Sequence, residues 1–116
     1  LVCIGALAGC AQKGPVTLYQ WDSFPRQQYE ALLQDGATDP AQIPAMEQQV
    51  EKARAAQAAL PPGFRAHLGM LKLAAGNAAE ARDLWQAEKA AFPESSPYMD
   101  RLLSRLDSTA KEQASK

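Results

Sequence analysis

The sequence predicts an all-α fold of helical hairpins, about five helices closed by a C-terminal capping helix. Three observations carry that expectation. Alanine is abundant, aromatic residues are few and long β-branched runs are absent, a composition that favours helices. Apolar residues recur at helical steps in five stretches after residue 22. Pro, Gly, Ser, Asn and Asp fall between those stretches, where helix starts and stops are expected.

The first helix starts with Asp22 or Ser23 as N-cap and Pro25 in its opening turn, where a missing N–H leaves no bond unmade. Tyr29, Leu32 and Leu33 fall at i, i+3 and i+4, giving one apolar face, and Gly36 stops the helix. The second begins after Thr38 or Asp39, with Pro40 near its first position and Pro44 making the start ragged. Ile43, Met46, Val50 and Ala53 form its inner stripe; Glu47, Glu51, Lys52 and Arg54 take the other faces, and its Ala-rich end lies near Leu60.

Pro61-Pro62-Gly63 marks a turn into a third helix over 64–75, with Phe64, Leu68, Leu71 and Leu73 as apolar candidates and Gly76 at its close. Asn77 caps the fourth, and Glu80 stands in the capping-box position, although a strict box has Ser or Thr at the cap. Ala78, Ala81, Leu84, Trp85 and Phe92 supply its apolar side up to Pro93. Ser95 or Ser96 caps the fifth, with Pro97 in its first turn and Tyr98, Met99, Leu102, Leu103 and Leu106 at helical spacing. The helical domain is therefore expected over 22–107, with 108–116 a polar, fraying tail.

Residues 1–9, LVCIGALAG, form an apolar run ending in small residues, the composition of a signal-peptide remnant. The run is too short to span a bilayer, which needs about 20 apolar residues. Without an initiator Met or basic leader, the front of such a signal is expected to be missing. Leu7-Ala8-Gly9-Cys10 resembles the bacterial lipobox. That resemblance implies cleavage before Cys10 and acylation of its thiol, which anchors firmly when several chains are attached. The alternative is an ordinary secretory signal with an incidental cysteine. Ala11 stands where an Asp would resemble inner-membrane retention, so the pattern is similar to outer-membrane sorting in a two-membrane cell. Residues 10–21 read as a lipidated tether. Leu18, Tyr19 and Trp21 at its end suggest a strap packed on the domain or an exposed aromatic recognition motif.

The charge balance, 12 basic to 13 acidic residues, makes no basic face for nucleic acid. By the lipobox resemblance Cys3 falls before the cleavage point and Cys10 would carry lipid, so neither is expected in a disulfide. With His67 as the sole histidine, no closed Cys/His zinc site can form. Neither metal nor cofactor is expected, and no catalytic constellation is legible. His67 reads as a packed or capping histidine, and Glu94 and Asp100 suit the dipole at the start of helix five. Gly63, Gly69 and Gly76 are spaced for turns and helix contact rather than for a phosphate loop. Asp22, Asp35 and Asp39 lack EF-hand spacing.

Residues 62–95 resemble a tetratricopeptide repeat, a 34-residue helix–turn–helix unit. Leu68-Gly69, Ala81, Trp85 and Pro93 stand at that motif's spacing: Gly69 and Ala81 permit close helix approach, and Trp85 fills the gap. Arg65, Lys72 and Glu88 depart from it. The preceding pair, 25–60, carries no such pattern, since Asp35 and Glu51 stand at the offsets of Gly69 and Trp85; a degenerate repeat-like hairpin is expected there. The alternative is a five-helix bundle with chance matches. At positions where some relatives of this motif clamp a peptide carboxylate stand Ala66, Met70 and Leu73, an apolar groove for a foreign helix or for the chain's own helix five.

Leu18-Tyr19-Gln20-Trp21, the run Leu60-Pro61-Pro62-Gly63-Phe64-Arg65-Ala66-His67-Leu68-Gly69-Met70, and Glu88-Lys89 with Phe92-Pro93-Glu94-Ser95 resemble a proteobacterial family of small lipoproteins of unknown function. The family's frequent neighbours, lipoproteins similar to the curli secretion pore and a second small lipoprotein, imply an envelope complex. The resemblance also marks Pro62, Gly63, His67 and Gly69 as residues of interest. The expected function is thus a non-enzymatic lipoprotein on the periplasmic face of the outer membrane. It would bind an envelope protein, with a curli-pore-like lipoprotein as candidate, and contact it through Trp21, Met70 and Leu73. The alternatives are a binder of peptidoglycan or another small ligand and, from a third class, an enzyme.

Overall fold

Helix starts fall where the chain's punctuation residues put them. The computed structural model describes residues 18–33 and 39–116. Cys10, the tether over 11–17, the Gly36 stop and the Thr38 start lie outside those residues. Among the described residues there are five α-helices: α1 Phe24–Leu33, α2 Gln42–Ala55, α3 Phe64–Ala74, α4 Ala78–Ala91 and α5 Ser96–Ala114, with a 3-10 turn at Pro93–Ser95 before α5. The described residues are all-α, and the last helix is the longest among them.

α1 begins as expected but turns a different face inward. Phe24 and Gln27 are buried, whereas Tyr29, Leu32 and Leu33 are exposed. The inward face is set by contacts that an apolar stripe does not encode. The Phe24 ring lies 5.2 Å from that of Phe64, Gln27 Nε2 donates to Ser23 Oγ at 3.1 Å, and the Gln27 carbonyl accepts from Gln42 Nε2 at 3.4 Å.

α2 enters through Asp39, whose side-chain oxygen accepts the Ala41 N–H at 2.9 Å and whose carbonyl accepts that of Gln42. Met46 and Ala53 are buried and Ile43 and Val50 pack beside them, the stripe read from sequence. The helix stops at Ala55 rather than near Leu60, and Gln57 follows with φ +52°. Beyond it the chain is extended. Gln20 N–H donates to the Ala59 carbonyl at 2.7 Å, forming an isolated parallel bridge between Tyr19 and Ala59.

That extended link sets the direction of α3. Gln42 meets His67, and five residues further along both helices Glu47 meets Lys72, so α2 and α3 run parallel. The chain crosses back along α2 instead of turning tightly into the next helix. α3 and α4 are antiparallel: Lys72 pairs with Glu80 beside the Gly76 turn, and farther along Trp85 Nε1 donates to the Ala66 carbonyl at 3.1 Å. Gly76, at φ +88°, ends α3 in a left-handed conformation that costs a side-chain-bearing residue energy. A Cβ on Gly69 would lie 2.7 Å from Trp85 Cδ1 and closer still to Nε1. The close approach read from the repeat spacing is therefore present in the α3–α4 pair.

α5 returns along α4, tied by Lys89 to Asp100 at 2.6 Å and Arg82 to Asp107 at 2.5 Å. Asp100 thus serves an ion pair across helices rather than only a helix dipole. The helix continues to Ala114, through the stretch expected to fray after Asp107, and residues 107–116 are all exposed. Two apolar clusters result. One joins Phe24, Met46, Ala53, Leu60, Phe64, Leu68 and Leu71; the other joins Ala81, Trp85, Met99 and Leu106. Each large side chain fully buried in them contributes about 1.5–3 kcal/mol relative to exposure.

Candidate functional site

Three helices frame an open cleft of about 650 Å³. Glu47, Val50 and Glu51 come from α2, Leu68 and Lys72 from α3, and Glu80, Asp83, Leu84 and Ala87 from α4. The parallel α2–α3 step holds α2 off α4, and α3 lies between them. Val50, Leu68, Leu84 and Ala87 make the interior apolar, and the carboxylates stand at the rim.

Lys72 is the centre of its electrostatics. Its stem is largely covered, and its ammonium pairs with Glu47 on α2 and, at 2.7 Å, with Glu80 on α4. The hydrogen bonds that Lys72 donates to Glu47 and then to Glu80 hold its pKa above the ordinary lysine value, and accepting that bond holds Glu80 below the ordinary carboxylate value. One cation therefore ties all three walls together. Glu80 also gives its backbone N–H to the Asn77 side chain at 3.2 Å, half of the expected capping box, while its carboxylate turns to Lys72. Arg54 lies 3.2 Å from Glu51. Two cations thus face four carboxylates, and Asp83 has no ion-pair partner among the described residues.

This site was not singled out in the sequence. Lys72 registered only as a departure from the repeat pattern. Its signal is positional: residues 72 and 80 stand four to either side of Gly76, so any hairpin turning there brings them together. Glu88, another of the three departures, is buried, and its Oε1 accepts the Gly63 N–H at 2.6 Å, capping the start of α3. A carboxylate is favoured at that end of a helix. Its Oε2 has no hydrogen-bond partner among the described residues.

The residues expected to contact a partner do not gather in one place. Trp21 lies on the strap, its ring edge-on to Tyr19 at 6.1 Å and 43% exposed. The strap itself is held down. Gln49 Nε2 donates to the carbonyls of Gln20 and Trp21 at 2.7 and 2.8 Å, Lys52 pairs with Asp22 at 3.0 Å, and Tyr19 lies 6.1 Å from the Phe92 ring. Met70 packs into the α4–α5 cluster beside Leu102 and Leu103, so helix five occupies the groove that Ala66, Met70 and Leu73 were expected to offer. Leu73 sits at the edge of that contact, facing a smaller cleft with Ala79, Leu106 and Ala110.

His67 is half-buried, with Nε2 2.9 Å from Gln42 Oε1 and its ring 6.3 Å from that of Phe24. Burial lowers its pKa. The neutral ring with hydrogen on Nε2 donates to the amide oxygen, a packing role. Among the described residues no three His, Cys, Asp or Glu side chains gather as a metal-binding group, and no helix is long and apolar enough to cross a membrane.

No curated protein and no solved structure matches the chain. A family profile does, over residues 18–102, from the strap through the first turns of α5. It takes in the strap, the crossing link and every wall of the cleft, and the chain is a member of the DUF4810 family, a domain of unknown function.

Proposed function

We propose that this protein is an envelope lipoprotein that binds another envelope protein. Acylated Cys10 holds it at the periplasmic face of the outer membrane, and the helical domain acts as a scaffold or accessory factor in a complex there. A lipoprotein similar to the curli secretion pore is a candidate partner. The observation that carries the binding role is the α2–α3–α4 cleft: an open, apolar-floored surface with a charged rim, built on helices braced by Lys72. Such pockets, apolar with a few placed polar groups, are where ligands and partner side chains bind. The anchoring role rests on Leu7-Ala8-Gly9-Cys10 and on the short run from there to the strap.

The test is cross-linking in native membranes followed by identification of the cross-linked species, with Cys10→Ala as the anchoring control. The expected result is a discrete envelope partner and loss of membrane association in Cys10→Ala. A monomer without a partner counts against the scaffold role. Retention of the chain by isolated sacculi would instead favour a peptidoglycan-binding role.

A further inference from the structure

The cleft's walls restrict what can fill it. All three are α-helices, whose interior backbone N–H and C=O groups are already paired within each helix. Among the described residues no sheet edge borders the cleft, so an extended segment would gain no strand pairing there. A helix brings its hydrogen bonds with it and can lay one apolar stripe into a groove. The floor formed by Val50, Leu68, Leu84 and Ala87 suits aliphatic side chains of that stripe. From Glu80 to Ala87 the α4 wall runs for about 10 Å, or two helical turns.

The rim then fixes the sign of the occupant's charge. Glu47 and Glu80 are engaged by Lys72, and Glu51 is shared with a solvent-exposed Arg54. Asp83, on the opposite wall from Glu51, is unopposed among the described residues. A helix lying between these walls places the flanks of its apolar stripe beside Glu51 on one side and Asp83 on the other. Lysine or arginine there meets a carboxylate; an acidic residue there meets repulsion, and such juxtaposition decides partner choice more than raw affinity.

We infer that the α2–α3–α4 cleft is a docking site for a cationic amphipathic helix of a partner protein, about two turns long, with aliphatic anchors in the groove and basic residues flanking them. This deepens the proposed scaffold role and rests on it. It places the contact away from Trp21, Met70 and Leu73.

Two synthetic 14-residue amphipathic peptides test the inference against the full chain by isothermal titration. They share a leucine stripe, and one carries lysine flanks where the other carries glutamate. The lysine peptide is expected to bind at least tenfold tighter. The double change Glu51→Lys and Asp83→Lys is expected to weaken it at least tenfold. Glu94→Lys with Glu112→Lys, the same change in net charge away from the cleft, leaves the affinity within twofold, and far-ultraviolet circular dichroism checks that both variants remain folded. Equal binding of the two peptides, or equal loss in both variants, overturns the inference. Either outcome, alongside a partner still cross-linked in native membranes, would remove the cleft assignment and leave the scaffold role standing; loss of the partner alone would do the reverse.

Discussion

The strap with α1 and the α4–α5 pair are joined to the centre of the molecule by different forces. The α4–α5 side is held by burial: Trp85 and Met99 are nearly inaccessible, Ala81 admits the close approach, and two ion pairs sit outside the apolar seam. The strap and α1 are held by polar groups. Gln49, Gln42 and Gln27 supply hydrogen bonds, Asp22 an ion pair, and Phe24 is the one large apolar side chain that α1 buries. Five of the seven large apolar side chains exposed in the described chain lie within residues 18–33. Burial of a large ring exceeds the net worth of a hydrogen bond, about 1 kcal/mol, so the two sides differ in how easily they open.

The sharpest way to break that contrast is Trp85→Ala. It empties the α4–α5 seam and frees the Ala66 carbonyl, and a loss of about 3–5 kcal/mol is expected in denaturant unfolding. A loss under 1 kcal/mol would mean that the seam does not dominate. Gln49→Ala acts on the other side. It should cost about 1–3 kcal/mol, because the Gln20 carbonyl loses its donor and the Trp21 carbonyl keeps only the Phe24 N–H. Amide exchange should quicken at Gln20, Phe24 and Ala59 while α4 stays protected; uniform quickening would show that strap and core open together.

Acid bears on the same boundary through His67. Its folded pKa lies below the ordinary 6.5, so between the two values the unfolded chain binds the proton and the folded chain does not. Stability is therefore whole above about pH 6.5 and falls as pH drops through that value toward the folded pKa, where the loss levels off. His67→Gln should flatten this slope in unfolding midpoints measured from pH 7.5 to 5, and an unchanged slope would assign it to other groups. The smallest effect belongs to Leu32→Gln with Leu33→Gln. Exposed as they are, their replacement should change the unfolding free energy by no more than about 0.5 kcal/mol each; a larger loss would show that α1's outer face is covered in solution.

The helices were legible because Pro25, Gly63, Gly76, Asn77 and Pro93 act locally, and a local signal survives in sequence. The Gly69–Trp85 contact was legible for a related reason, since a tight hairpin converts sequence spacing into spatial spacing. What escaped depends on partners far along the chain. The inner face of α1 is chosen by Phe64 and Gln42, so the apolar Tyr29–Leu32–Leu33 stripe pointed the wrong way. Pro61-Pro62-Gly63 read as a turn, which hid the extended crossing before it, and that crossing brings Glu47 over Lys72. The cleft follows from the crossing and could not be read without it. Cys10 is a different case, because it lies outside the described residues and packing does not bear on it.

The strap also has a mechanical consequence. For a chain held at Cys10, any pull along the tether enters the domain at Leu18. It meets the Ala59 N–H to Leu18 carbonyl bond at 3.4 Å first, then the Gln20 N–H to Ala59 carbonyl bond at 2.7 Å, then the Gln49 and Lys52 attachments around residues 20–22. Bonds loaded in sequence give way singly, at lower force than bonds loaded together. Peeling residues 18–23 frees a segment whose contour length is about 20 Å before α1 is strained. Were Cys10 acylated as proposed, the strap would act as a fuse between anchor and domain, extending the reach of the molecule before the α2–α3–α4 cleft is loaded.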